Sequence, residues 1–261
     1  MKRFSGEISG AIYDVDDTLL NNQPDGNDHL SNLHQRARLK AFRAMGERYP
    51  ILHEITPQEN YDSFAQSPVH TVAGAFWVAL NRRGILGDVF DPLDPLILEL
   101  IAMKNEAYAD LLLTHGQAHD GAIEFIRSMN DHYDLHGHNA IASTAIKNDV
   151  RTFLQMTDLT DVIPEDHIIT IEDVTHPKPH PEAFDKAFRT LNLADAERAH
   201  VLAFEDDPRG MLSARKAGLV VCAITTRYDR VFLEHVDAQP DFIADNFAEF
   251  HEIFNLPPLP E

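Results

Sequence analysis

Hydrophobic and polar positions change rhythm along the chain, and the changes mark its organisation. A short apolar segment ending in Ala11-Ile12-Tyr13-Asp14 predicts a β-strand over about 8–14. The polar, turn-prone stretch Asn21-Asn22-Gln23-Pro24-Asp25-Gly26-Asn27-Asp28 then reads as a linker or hinge. From Leu30 to about Leu113 the spacing is helical. Leu33, Ala37, Ala41 and Ala44 share one face, Val72, Phe76, Val78, Ala79 and Leu80 form a second apolar segment, and Ile97 to Leu113 forms a third. Pro50, Pro57, Pro68, Pro92 and Pro95 divide this block into separate helices, and no strand pattern interrupts it.

From about residue 118 strands and helices alternate. A helix near 119–132, the strand Ala140-Ile141-Ala142 and a helix near 147–156 come first. The strand Ile168–Ile171, a helix after Pro181 and the strand His200–Phe204 follow, then a helix over 208–217 stopped by Gly218. Val220–Ile224 and Phe242–Ala244 are the last strands, before a short closing helix and a loose Pro-rich end from Leu256. Such alternation predicts right-handed βαβ units. The expected fold is therefore an α/β, Rossmann-like parallel sheet with helices on both faces, built from residues 1–21 and 114–261, with residues 22–113 inserted as an all-helical domain.

At 261 residues and 44% hydrophobic, the chain has enough material for a large core. No run approaches the roughly 18 apolar residues of a membrane helix, and the N-terminus lacks the apolar segment of a secretory signal. Cys222 is the only cysteine, so no internal disulfide forms, and a reducing cytoplasm is the expected compartment. Its apolar neighbours mark it as a core residue. The net charge of −20 argues against nucleic acid and anionic lipid as partners. The fifteen histidines include no His-Glu-x-x-His and no paired Cys/His spacing, and read as surface or packing residues rather than a zinc site.

The chemistry gathers at strand ends, where open α/β sheets bind ligands. Asp14 and Asp16 follow the first strand two positions apart, so extended backbone would turn both toward one centre. Crowded carboxylates call for a cation or a shared proton. The plainer alternative is an acidic turn capping a helix through Asp17 or Thr18. Ser143 and Thr144 follow the strand Ala140–Ala142, where a hydroxyl and backbone N–H groups suit a phosphoryl oxygen; the alternative is an N-cap for the helix beginning near Asn148. Lys178 sits in His-Pro-Lys-Pro-His-Pro, a point charge on a stiff loop. Glu205-Asp206-Asp207 ends another strand, and two such clusters suit Mg²⁺, which prefers oxygen ligands. Acidic helix N-termini are the alternative reading.

In order, these motifs read Asp-x-Asp-x-Thr, Ser, Lys-Pro-x-Pro-x-x-Phe through Phe184, and Glu-Asp-Asp-x-x-Gly through Gly210. The series resembles the haloacid dehalogenase superfamily of phosphatases and phosphomutases, in particular the subgroup with a helical cap that includes β-phosphoglucomutase and phosphoglycolate phosphatase. The resemblance covers roughly residues 6–20 and 115–254. It implies that Asp14 is a nucleophile and Asp16 a general acid/base, with Ser143, Thr144 and Lys178 on the phosphoryl oxygens. It also implies Mg²⁺ held by the Asp14 carboxylate, the Asp16 carbonyl and Asp206, with Glu205 as a further ligand or support. Asp16 argues for phosphoryl transfer, because true dehalogenases of the superfamily lack this second aspartate. Asp17 stands where the family commonly has glycine, and Asp207 where it often has serine.

The implied activity is an Mg²⁺-dependent phosphatase acting on a small phosphorylated metabolite. A sugar phosphomutase is the alternative, with Arg36, Arg38, Lys40, Arg43, Arg82 and Arg83 as candidates for a second phosphate subsite. A phospho-receiver domain fits poorly in length and motif order, and a silent binding protein is disfavoured by the complete motif set. Neither the substrate nor the oligomeric state is encoded in any of these signals.

Overall fold

Gly10–Tyr13 form β1, the strand on which the rest of a parallel sheet is laid. The strands that follow are β2 (Leu20–Asn21), β3 (Gln117–Ala118), β4 (Asn139–Ala142), β5 (Ile168–Ile169), β6 (Val201–Glu205), β7 (Val220–Ile224) and β8 (Phe242–Ala244). Six of them make one sheet in the order β5-β4-β1-β6-β7-β8, and every pairing in it is parallel. The chain moves outward from β1 through β4 to β5, then returns to the other side of β1 for β6. The order therefore reverses at β1, the place at whose strand ends open α/β sheets bind ligands.

The computed structural model describes residues 3–24, 26, 29–67, 69 and 71–257. Asp25, Asn27 and Asp28 of the expected hinge, Pro68, and residues 258–261 of the Pro-rich end lie outside the described residues. The chain divides into two compact units, Met1–Asn21 with Gln117–Glu261, and Asn22–Gly116.

In the first unit alternate strand residues face opposite layers. Ile12, Ala140, Ala142, Ala203 and Ala223 pack with Phe184, Phe188, Met211 and Ala214, which come from α7 (Glu182–Thr190) and α8 (Pro208–Lys216). On the opposite face Tyr13 stacks on Phe204 at 5.0 Å, and Phe125 and Phe250 meet Phe204 edge-on. Those two rings belong to α5 (Ala122–His132) and α10 (Phe247–Ile253). Both faces being covered explains why these strands read as continuous apolar runs. Each fully buried ring contributes about 1.5–3 kcal/mol. The remaining helices of this unit are α6 (Lys147–Met156) and the short α9 (Arg230–Leu233). Cys222 is buried in β7, as its neighbours predict.

The second unit holds α1 (Leu33–Met45), α2 (Pro57–Ala65), α3 (Val72–Asn81) and α4 (Pro95–His115). Its core joins Phe42, Met45, Leu52, Ile55, Phe76, Leu80, Ile97 and Leu100. Pro57 and Pro95 occupy first-turn positions, where a missing N–H costs nothing. Thr56 and Glu59 close a capping box on α2. Among the described residues, no helix is long and apolar enough to cross a membrane.

Several local expectations change. No helix starts at Asp17 or Thr18; residues 17–19 form a turn, and β2 pairs antiparallel with β3 immediately after it. Ser143 and Thr144 do not cap α6, whose N-cap is Ile146. Ala44 is exposed, because the end of α1 turns Phe42 and Met45 into the core instead. β5 stops at Ile169, where Thr170 and Asp173 cap a single 3₁₀ turn.

Candidate active site

Strand register assembles the site. Tyr13 pairs with Ile141 on one side and Phe204 on the other, so the next position, Asp14, is level with Ala142 and Glu205. The Asp14 N–H donates to the Phe204 carbonyl (3.0 Å), which carries the strand hydrogen bonding one residue further. Asp14 and Glu205 continue the sheet face of Ile12 and Ala203, the face covered by α7 and α8.

Lys178 enters from the loop before α7. Its ammonium donates to Asp14 Oδ1 (2.6 Å), Glu205 Oε1 (2.5 Å) and the Ala142 carbonyl (2.7 Å). One nitrogen thus ties together three adjacent strands at one level. The side chain is almost wholly buried, and Nζ lies 4.8 Å from the centre of the Phe184 ring. Burial works against the ammonium, but Asp14 and Glu205 outweigh it and hold its pKa above the usual lysine range.

Glu205 and Asp206 leave β6 on different errands. Glu205 uses both oxygens, one for Lys178 and the other for the Asp207 N–H (3.2 Å). Its carboxylate lies over Gly210 so closely that a Cβ there would come within 1.8 Å of Oε1. That contact explains the glycine at the end of the Glu-Asp-Asp-x-x-Gly motif. Asp206 Oδ1 accepts from the buried Thr18 hydroxyl (2.9 Å), while Oδ2 is buried with no hydrogen-bond partner among the described residues. Asp207 turns away: it caps α8 through the Arg209 N–H and pairs with Arg209 and Arg227. Although burial opposes it, those arginines keep its carboxyl below the usual range.

Ligand oxygens of Asp14, Glu205 and Asp206 lie within 4.8 Å of one another, and all three residues are buried. Burial is the main force pushing Asp14 and Asp206 well above the ordinary carboxyl range. The neighbouring Glu205 charge adds to both, and for Asp14 Lys178 opposes the rise. Glu205 is raised as well, again chiefly by burial. One ammonium cannot balance three carboxyl groups, so ionising all of them would leave two negative charges in excess. An all-oxygen donor set, a surplus of negative charge and one orphaned carboxylate oxygen fit a hard divalent cation such as Mg²⁺.

The other expected residues follow the ends of β1 and β4. Asp16 is half-buried just beyond β1, and its charge contributes to the rise at Asp14. Ser143 is buried directly after Ala142; its N–H donates to the Ile169 carbonyl (2.9 Å), and its hydroxyl accepts from the Ala145 N–H (3.1 Å). Thr144 is exposed. Sequence reasoning placed Thr18, Phe184 and Gly210 in the motifs but gave none of them a part in the site, considered Thr18 otherwise as a cap, and did not consider the Ala142 carbonyl. The five-residue interval from Glu205 to Gly210 was the available signal, since it brings the first turn of α8 under the carboxylate.

A parallel sheet with a buried lysine–carboxylate centre at its switch point defines an α/β protein whose ionisable groups gather at the strand ends. The chain belongs to the haloacid dehalogenase-like hydrolases: the family pattern matches residues 11–224. Pyrophosphatase PpaX of Bacillus cereus is 32% identical over 116 residues, 44% of this chain; the match spans only half the length of that relative. Validoxylamine A 7'-phosphate phosphatase of Streptomyces hygroscopicus is 26% identical over 229 residues, covering 87% of this chain and 90% of the relative. The crystal structure of a haloacid dehalogenase hydrolase from Entamoeba histolytica shares the fold, with a TM-score of 0.70 at 19% identity over 93% of this chain and 95% of that one.

Proposed function

We propose that this protein is an Mg²⁺-dependent phosphatase that hydrolyses a small phosphorylated metabolite through an aspartyl-phosphate at Asp14. The observation that carries the reading is the Lys178 ammonium on Asp14 Oδ1, with the unpartnered Asp206 Oδ2 in the same buried carboxylate cluster. The Asp14 carboxylate forms the new bond to phosphorus as the ester oxygen leaves. Asp16 gives that oxygen its proton, then takes one from the water that attacks phosphorus and frees Asp14. Lys178 offsets the charge of the transferred group, Glu205 fixes Lys178, and Ser143 with the backbone around Thr144 receives the phosphoryl oxygens.

Asp14, Asp206 and the Asp16 carbonyl would hold Mg²⁺, which supplies electrostatic screening between an anionic nucleophile and an anionic phosphate. Thr18 sets the Asp206 carboxylate for this duty through its hydroxyl. The named activities of two relatives, one on pyrophosphate and one on validoxylamine A 7'-phosphate, are the reason to put pyrophosphate and phosphate monoesters first in the substrate panel. The test is release of inorganic phosphate from sugar, nucleotide and carboxylate phosphates and pyrophosphate, with Mg²⁺ and with chelator. The reading requires Mg²⁺-dependent release from at least one of them. Isomerised sugar phosphate without released phosphate would instead establish the mutase reaction.

A further inference from the structure

Residues 176–182 read His-Pro-Lys-Pro-His-Pro-Glu, and the fold brings the two histidines and the glutamate of this segment together. One ligand atom from each of His176, His180 and Glu182 lies within 4.8 Å of the others; both histidines are exposed and Glu182 is half-buried. The two imidazole rings are 4.6 Å apart, centre to centre. His176 Nδ1 is 3.1 Å from Glu182 Oε2. Two donors bound to one ion at about 2.1 Å each, at about 90–110° to one another, are separated by about 3.0–3.4 Å. The observed separation already equals one edge of a coordination sphere.

The carboxylate and the loop are held in place. Glu182 Oε1 accepts from the Thr175 N–H (3.0 Å) and from Lys186 (2.8 Å), and Oε2 accepts from the His176 N–H (2.9 Å). Lys186 first, then these two N–H groups, keep Glu182 ionised by holding its pKa far below the usual range. The Ser213 hydroxyl donates to the His180 carbonyl (2.6 Å) and fixes the second histidine's backbone. Lys186 bears on Oε1, so Oε2 remains the oxygen directed at His176.

We propose that His176, His180 and Glu182 form a binding site for a zinc-class divalent metal on the loop that carries Lys178. Two imidazole nitrogens and one carboxylate suit Zn²⁺ and its neighbours rather than Mg²⁺, which takes oxygen ligands. The metal takes the place of the hydrogen bond between His176 Nδ1 and Glu182 Oε2, and the neutral imidazole then carries its N–H on Nε2, so no net proton need be released. Solvent occupies the fourth position. The site is distinct from the carboxylate cluster of Asp14, Glu205 and Asp206, with which it shares no ligand.

The experiment titrates Zn²⁺ alone into the full chain by calorimetry, in buffer with excess Mg²⁺ so that the oxygen cluster is already supplied. Visible absorption of Co²⁺ added in place of Zn²⁺ reports nitrogen ligation. Wild type should bind one Zn²⁺ saturably. His176→Ala and His180→Ala should each weaken binding about tenfold or more, and both should lose the Co²⁺ band. Asp206→Asn should leave Zn²⁺ affinity unchanged. Because both histidines are exposed, their replacement should leave the fold and its circular dichroism intact. Absence of saturable Zn²⁺ binding by wild type overturns the proposal. So does a His176→Ala/His180→Ala double variant whose affinity stays within about threefold of wild type.

Discussion

At the scale of single residues, two positions expose how backbone and burial shape the chemistry. Asp17 has φ +60°, the left-handed region that an L residue enters at a cost and that aspartate tolerates better than most. That geometry gives a physical reason for the glycine common at this place in the family. Asp17→Gly should therefore leave the melting temperature nearly unchanged, while Asp17→Val should destabilise by about 1–2 kcal/mol; thermal unfolding of the two variants checks this. Asp206 shows what burial does to a carboxylate. Its carboxyl is raised mainly by burial, so without metal the folded state keeps a proton that the unfolded chain has released. Stability from this group is then lost as pH rises from about 4 through the raised value. Asp206→Asn keeps an acceptor for Thr18 and removes the titration. In chelator the variant should melt above wild type at pH 8, with the gap closing toward pH 4. Mg²⁺ should raise the melting temperature of wild type and not that of the variant. A wild type that melts higher than the variant in chelator across this range would contradict the assignment.

At the scale of elements, the helices and strands with clear period were legible and the joints between them were not. The 147–156 helix and the Val220–Ile224 and Phe242–Ala244 strands occur with the expected ends, because apolar period and flanking polar residues agree there. The two-residue strands β2 and β3 lie 95 residues apart in sequence and carry no pattern of their own; only tertiary pairing defines them. Ala44 failed because a helical stripe says which residues share a face, not where the neighbouring element stops. The site behaves likewise: its carboxylates and lysine were readable as strand-end residues, whereas Thr18 on Asp206 and Glu205 over Gly210 depend on how α8 meets β6. The second contact can be tested. Gly210→Ala places a methyl where Glu205 Oε1 now lies, so Glu205 and with it Lys178 must shift. We expect kcat/KM to fall at least about tenfold, the loss of one charged contact to the reacting group, with Mg²⁺ dependence retained. Steady-state kinetics that match wild type would show that Glu205 does not position Lys178.

At the scale of the whole molecule, a chain of net charge −20 is proposed to act on an anion, so positive charge must be local. In the first unit Lys178 provides it, and the proposed cation would add to it. In the helical unit the arginines differ sharply. Arg83 is paired with Glu59 and Arg82 meets Gln66, whereas Arg38 is 2% exposed and bonded to the neutral Gln35 and Asn60. Burial lowers the Arg38 pKa to about 10, which leaves it charged at neutral pH. We propose that this unit selects the substrate, and expect Arg38→Met to change the ranking of KM values across a phosphate-ester panel, with Arg82→Ala leaving the ranking as it was. The central claim, covalent catalysis by Asp14, is tested most directly by phosphate release from wild type and Asp14→Asn side by side at saturating Mg²⁺, on the best substrate of the panel. The account predicts a loss of about 10⁴-fold or more in the variant, since the amide keeps the shape and removes the nucleophile. Turnover by Asp14→Asn within about tenfold of wild type would contradict it.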